Sequence, residues 1–151
     1  MKNEDRFEKI SREIGGECVA VRLRLLNRAV SAIYDDALRE LGVKVSQVNV
    51  LTVLGLQGTA TAAEVGRLLR MDKSTLSRNL GRLRARGWIE AVPGGDERSR
   101  GLRLTGAGRW LLLRAYPEWR RAQETVRELL GARGVSALSG MADRLWNEGA
   151  A

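Results

Sequence analysis

The sequence predicts a mainly α-helical fold that includes one small β-hairpin. Over most of the 151 residues, apolar side chains recur at steps of three and four, which is the spacing of amphipathic helices. One stretch instead alternates apolar and polar residues on both sides of a cluster of glycines and charges, which is typical of a hairpin. At this length we expect a single domain, residues 1-151, with one substantial core.

The composition favours a polyanionic partner and disfavours an enzyme. Lysine and arginine total 26 against 18 acidic residues, which gives a formal net charge of +8. There is no histidine and one cysteine, Cys18, so we expect no intrachain disulfide, metal or cofactor and no histidine-based catalysis. Because the opening MKNEDRFEKI is charged and no run of about 18 apolar residues follows, we expect a cytoplasmic protein that spans no membrane.

The first predicted helix runs from Cys18 to Leu41. Gly42 follows as a stop signal, since glycine readily takes the left-handed conformation that ends helices. The apolar seam of this helix alternates steps of four and three: Val19, Leu23, Leu26, Val30, Ile33, Ala37 and Leu41. Such a seam needs a packing partner, and we expect residues 17-42 to serve in dimerisation.

Three shorter helices are predicted next. A mostly apolar segment between Ser46 and Gly58 predicts a deeply buried helix. Thr61 and Glu64 match a capping box, in which each side chain satisfies a backbone amide of the other, so a second helix begins there. The third runs from about Ser74 to Arg86, with leucines every three or four residues on its inner side. Two short helices joined by a tight link, as the last two are, form a helix-turn-helix pattern.

Two strands and a long helical region complete the chain. The strands are residues 88–92 and 101–105, and the charged segment GGDERS lies at the tip between them. Thr105 is placed to cap the following helix, and Pro117 is expected to kink or divide it. A last helix is predicted over residues 135–147. We expect residues 106-148 to form dimerisation helices and their aromatic side chains to pack there.

The outer side of the third short helix has the composition of a DNA-reading surface. Arginine can contact guanine O6 and N7 together, hydroxyl groups bind phosphates or bases, and the small Gly81 permits close approach. An ordinary solvated helix is the alternative for this pattern. The candidate DNA-binding residues on it are Lys73, Ser74, Thr75, Ser77, Arg78 and Arg82.

The hairpin favours DNA binding over the solvated alternative. A helix-turn-helix followed at once by a hairpin with arginines at its tip is a winged helix, here residues 45-105. The narrow minor groove attracts an inserted arginine, and we assign this role to Arg98, with Arg100 nearby. Asp96, two residues before Arg98, can hold its guanidinium by a charge-assisted hydrogen bond.

The chain resembles the MarR family of bacterial transcriptional regulators. The resemblance rests on YDDALRELGVKVSQ, TAAEVGRLLR, MDKSTLSRNLGRLRARGWIE and DERSRGLRLTGAG. Its most specific parts are Asp96 with Arg98 and the pattern of Leu104, Thr105 and Gly108. The resemblance implies a homodimer with interleaved N- and C-terminal helices, one winged helix per subunit on a near-palindromic double-stranded DNA site, and release by a small molecule or an oxidant.

These observations predict a sequence-specific regulator, with a repressor released by a small, apolar or anionic effector as the leading hypothesis. Two alternatives are a thiol-based redox sensor acting through Cys18 and a non-specific architectural DNA-binding protein. A sequence-specific regulator and an architectural protein differ in the ratio of their affinities for a chosen site and for random DNA, which is about a thousandfold or more for a regulator. An enzyme without histidine is a distant third class.

Overall fold

The computed structural model describes residues 2–93 and 100–148, and it confirms a mainly helical fold with a two-stranded hairpin. A 3-10 turn, Arg39–Leu41, follows the second helix. Within the described ranges, no helix is long and apolar enough to cross a membrane. The elements are α1 (Lys2–Glu17), α2 (Val19–Ala37), α3 (Val45–Gln57), α4 (Ala62–Leu69), α5 (Lys73–Ala85), β1 (Ile89–Ala91), β2 (Leu102–Leu104) and α6 (Gly106–Glu148).

The N-terminal region differs from the prediction at both ends of its helix. A separate helix, α1, precedes Cys18, which has an extended backbone between α1 and α2. The predicted helix to Leu41 was too long: α2 ends at Ala37, and the chain tightens into the 3-10 turn before Gly42, where φ is +64°. Leu38, the C-cap of α2, lies in the core with no exposed surface.

The core lies inside the winged helix and is built around α3. Val50, Leu51 and Leu54 of α3 are almost fully buried, as are Leu83 of α5 and Leu102 of β2. The predicted capping box of α4 is confirmed by reciprocal hydrogen bonds between Thr61 and Glu64. Leu111 and Ala115 bring the start of α6 into the same core.

The hairpin is antiparallel and is fastened to the body of the winged helix at its base. Ile89 pairs with Leu104 and Ala91 with Leu102. Leu102 also exchanges both backbone hydrogen bonds with Ala60, at 2.8 and 3.1 Å. The base of the wing is thus held by backbone pairing on two sides.

The Leu-Thr-x-x-Gly pattern marks the junction between the wing and α6. The Thr105 hydroxyl donates to the Gly87 carbonyl at 2.6 Å and accepts from the Gly108 amide at 3.1 Å. A Cβ at Gly108 would lie 2.0 Å from the carbonyl oxygen of Trp88, so only glycine fits there. This packing fixes the direction in which α6 leaves the winged helix.

The break in the C-terminal helical region lies at Gly131, not at Pro117. Pro117 lies inside α6, and its backbone angles are helical. Gly131 has φ 65° and ψ 165°, which no helix accommodates. Pro117 was predicted to kink or divide the helix; the division is wrong, because it lies at Gly131, and residues 132–148 form the last helical segment.

Candidate nucleic-acid interface

Helix α5 has one buried side and one exposed side, as a groove-reading helix requires. Leu76, Leu80 and Leu83 are buried against the core, and Asn79 joins them with its Nδ2 3.6 Å from the Met71 sulfur. The side chains predicted to bind DNA lie on or beside the opposite side of the helix. We call this set the reading surface: Lys73, Ser74, Ser77, Arg78 and Arg82 are exposed, and Thr75 is half-buried.

The connection between α4 and α5 sets the position of the reading surface. Arg70 ends α4 in the left-handed conformation, with φ at +49°, and the Met71 amide donates back to the Gly66 carbonyl at 3.0 Å. A Cβ at Gly66 would lie only 3.0 Å from the Leu76 side chain, so α4 and α5 pack in close contact. The glycine allows this close packing of the helix pair.

Asp72 organises the start of α5. Its Oδ1 accepts the Thr75 amide at 2.8 Å and the Ser74 hydroxyl at 2.7 Å. Hydrogen bonds from the side chain and backbone of Thr75, and then from Ser74, hold the pKa of the Asp72 carboxyl well below its usual range. Asp72 is therefore an N-cap and the anchor of the first turn of the reading surface.

Sequence reasoning treated Asp72 as part of the link and missed this role. The signal was present, because aspartate is among the preferred N-cap residues and stands directly before Lys73 and Ser74. The predicted start of the helix at about Ser74 was one residue late, since α5 begins at Lys73.

Arg78 lies one turn beyond Ser74 and is tethered to the same network. Its Nη2 donates to Thr75 Oγ1 at 3.3 Å, while most of the guanidinium stays free to bind elsewhere. Gly81, on the next turn, has no atom within 4 Å of an added Cβ. Among the described residues, no packing contact therefore requires glycine at this position.

The wing is described only at its base. Arg103 Nε donates to Glu90 Oε1 at 2.8 Å across the two strands. Arg100, two residues before β2, is exposed. Asp96 and Arg98 lie outside the described residues, so their predicted pairing and minor-groove role stay predictions. The structure thus brings together the six helix residues and leaves the tip untested.

Two adjoining clefts lie where α3 faces α6. One has a volume of about 500 Å³ and the other about 420 Å³, and both are lined by Leu112 and Tyr116. Tyr116 stacks on Trp119 with the ring centres 6.3 Å apart. These two aromatic side chains therefore border a cavity as well as packing on each other. Of the other two aromatic residues of α6 named as packing candidates, Trp110 is exposed, and the side chain of Trp146 is not among those that the structure describes.

The N- and C-terminal helices expose much of their apolar surface. We use the term helical arms for α1, for residues 19–30 of α2 and for residues 127–145 of α6. Phe7 and Leu145, at opposite ends of the chain, keep 70% and 63% of their surface exposed. Tyr34 donates a hydrogen bond to Gln123, which joins α2 to α6 beyond the arms. Cys18 is half-buried between α1 and α2.

The chain is similar to known transcriptional regulators in sequence and in fold. A model of the MarR family matches residues 41–99. The multiple antibiotic resistance protein MarR of Salmonella typhimurium is 31% identical over 85 residues, which cover 56% of this chain and 59% of that protein, less than two thirds of its length.

Solved structures extend the likeness over most of the chain. The Mycobacterium tuberculosis transcriptional regulator MOSR, solved in complex with DNA, is 30% identical with a TM-score of 0.69, covering 85% of this chain and 98% of that one. Bordetella bronchiseptica BpsR, whose DNA binding is regulated by 6-hydroxynicotinic acid, is 22% identical with a TM-score of 0.73, covering 86% and 95%. The segment that the family model matches forms most of the winged helix, and the sequence relative and the MOSR structure point to the same family. The chain belongs to the MarR family.

Proposed function

We propose that this chain is a sequence-specific DNA-binding transcriptional regulator, a repressor that leaves its operator when a small molecule binds. The observation that carries the proposal is the reading surface: one exposed, basic and hydroxylated side of α5 above a fully buried opposite side. Major-groove recognition uses these residue types, and the net charge of +8 favours approach to a polyanion. The DNA complex of MOSR, a relative of the same fold, supports this choice.

In this proposal the active form is a homodimer on a near-palindromic site. The support is the exposed apolar surface of the helical arms, which a second copy of the chain would cover. A two-fold axis then places the two α5 helices about one DNA turn apart, roughly 34 to 36 Å. The tips carrying Arg98 reach the flanking minor grooves.

The effector site in this proposal is the pair of clefts between α3 and α6. They adjoin both the core of the winged helix and the helix that leads to the arms, so a ligand there can favour one arrangement over another. Their linings combine Leu112, Tyr116 and Trp119 with the basic Arg109, which suits a small, largely apolar anion. The DNA binding of BpsR is regulated by 6-hydroxynicotinic acid, a small aromatic carboxylic acid.

The test of DNA reading is a titration of a selected duplex with two variants of the proposed interface, at Arg78 and Arg98, and with one control variant. Arg78→Ala should weaken binding by about 1 to 3 kcal/mol and relax base preference at one position of each half-site. Arg120→Ala, which removes the same charge from the middle of α6, should leave that preference intact. Arg98→Ala should weaken binding with little change in major-groove preference. Unchanged affinity in both Arg78→Ala and Arg98→Ala would contradict the proposed interface.

The test of the signal compares the parent with Cys18→Ser. Under the ligand hypothesis, both proteins bind the operator equally, and peroxide has no specific effect on either. A Tyr116→Ala variant should then lose the response to an active aromatic acid, with 6-hydroxynicotinic acid as the first probe, while still binding DNA. Peroxide release of the parent but not of Cys18→Ser would instead make Cys18 the sensor.

A further inference from the structure

The hydroxyl proton of Ser74 is already committed within the protein. Ser74 Oγ lies 2.7 Å from Asp72 Oδ1, the same oxygen that accepts the Thr75 amide. An ionised carboxylate has no proton to give, so Ser74 is the donor in this bond. The exposed part of the Ser74 oxygen therefore presents lone pairs only.

Ser74 is the donor in its hydrogen bond with Asp72 at neutral pH. Hydrogen bonds from Thr75 and then Ser74 keep the pKa of Asp72 well below its usual range, so the carboxyl is ionised wherever the protein is folded near neutrality. Thr75, which accepts from Arg78 Nη2 at 3.3 Å, also contributes a side-chain hydrogen bond to Asp72. Of the two residues that carry a hydroxyl beside Asp72, Ser74 is the exposed one and Thr75 is half-buried.

We propose that Ser74 is a specificity-determining residue that accepts a hydrogen bond from the exocyclic amino group of adenine or cytosine. The inference rests on the proposed DNA-binding function, and it names the class of base that this residue reads. In the major groove, adenine N6 and cytosine N4 are donors, whereas guanine and thymine present acceptors at the corresponding positions. A hydroxyl that can only accept pairs with the first two bases and not with the others.

A phosphate is the wrong ligand for this hydroxyl. Phosphate oxygens are acceptors and need a donor, and the only proton of the Ser74 hydroxyl points to Asp72. The negative charge of Asp72, 2.7 Å from the Ser74 oxygen, also repels a phosphate group. Ser74 is therefore suited to an amino group of a base edge and not to the DNA backbone.

Arg78, four residues on, has the opposite polarity. Its guanidinium only donates, which matches guanine O6 and N7. Residues four apart lie on one side of a helix, so Ser74 and Arg78 face neighbouring base pairs. The expected half-site therefore contains an adenine or cytosine close to a guanine contacted by Arg78.

The experiment selects sites from a randomised pool of DNA duplexes with the full-length parent and three variants. Ser74→Ala removes the acceptor, so the preference for adenine or cytosine at one position should fall by about three- to tenfold, with the other positions unchanged. Asp72→Asn keeps an oxygen that accepts the Ser74 proton and should retain the preference. Asp72→Gly frees that proton at little cost to the cap, so guanine and thymine should become acceptable. Circular dichroism confirms that each variant is folded.

A second measurement addresses the amino group itself. In the parent's selected duplex, the base in question is replaced by an analogue without its exocyclic amino group. The parent should lose about three- to tenfold in affinity, while Ser74→Ala should bind both duplexes equally. Equal loss in both proteins, or an unchanged preference in Asp72→Gly, would overturn the inference while leaving DNA binding intact. Failure of the parent to enrich any sequence would contradict the proposed function instead.

Discussion

The winged helix and the helical arms differ in where their apolar side chains find partners. In the winged helix, Leu51, Leu83 and Leu102 are buried within a single copy of the chain. In the arms, Phe7, Leu23 and Leu145 remain largely exposed. The first region can reach its stable packing alone, whereas the second leaves apolar area that a folded protein in water rarely exposes. The difference supports the proposal that a second copy of the chain covers the helical arms, whereas the winged helix packs on its own.

The largest effect is expected from a cavity in the winged helix. Leu83→Ala removes a side chain with no exposed surface and should lower the free energy of unfolding by about 2 to 5 kcal/mol. Chemical denaturation followed by circular dichroism measures it. A loss below about 1 kcal/mol would show that the core of the winged helix is not closed within the chain, which would remove the contrast between the two regions.

A charge in the arms should separate the copies without unfolding the winged helix. Leu23→Glu places a carboxylate in the seam of α2, so the light-scattering mass should fall toward that of a monomer, because burying an unpaired charge is costly. Leu56→Glu is the matched control, since Leu56 is 79% exposed on α3 outside the arms. An unchanged mass for Leu23→Glu would place the partner's contact elsewhere.

A smaller effect should act in opposite directions on stability and on DNA binding. Gly81→Ala adds a Cβ into open space in an exposed helix, so the free energy of unfolding should rise by about 0.5 to 1 kcal/mol. The same Cβ lies on the reading surface and should weaken operator binding. Thermal melting and a duplex titration measure the two effects, and tighter binding by Gly81→Ala would contradict the close approach.

The smallest effect concerns the pH dependence of stability. Because the pKa of Asp72 is lower in the folded chain than in the unfolded one, its stabilising contribution is present above the ordinary aspartate pKa and is lost as the pH falls through the folded value. The stability difference between the parent and Asp72→Ala should therefore be constant near neutral pH and shrink in acid. A difference that grows below pH ~4 would contradict the cap geometry.

The winged helix could be predicted closely from the sequence because its signals are local. The capping pair Thr61 and Glu64, the leucine spacing of α5 and the alternation around the hairpin each act within a few residues. The 3-10 turn before Gly42 could not be predicted, since the apolar spacing of the helix continues to Leu41. Pro117 gave a misleading signal, because helical backbone angles continue through it and the break falls at Gly131.

The candidate site could likewise be predicted only in part from the sequence. Its residue set on α5 follows from helical spacing, but the hydrogen bond from Ser74 to Asp72 depends on rotamers and on the extended backbone of Asp72, which no spacing rule specifies. The aromatic residues that line the two clefts between α3 and α6 were expected to pack. Tyr116 and Trp119 of α6 instead line a cavity together with Val48 and Thr52 of α3.

We propose that two copies of the chain read one DNA site, and the decisive experiment is the selection of bound duplexes from a randomised pool by the purified protein. We expect a near-palindromic sequence whose half-sites are about one helical turn apart, bound by two chains per duplex and weakened steeply by salt. Retention of DNA with no enriched sequence at any salt concentration would contradict the claim and indicate a non-specific architectural protein.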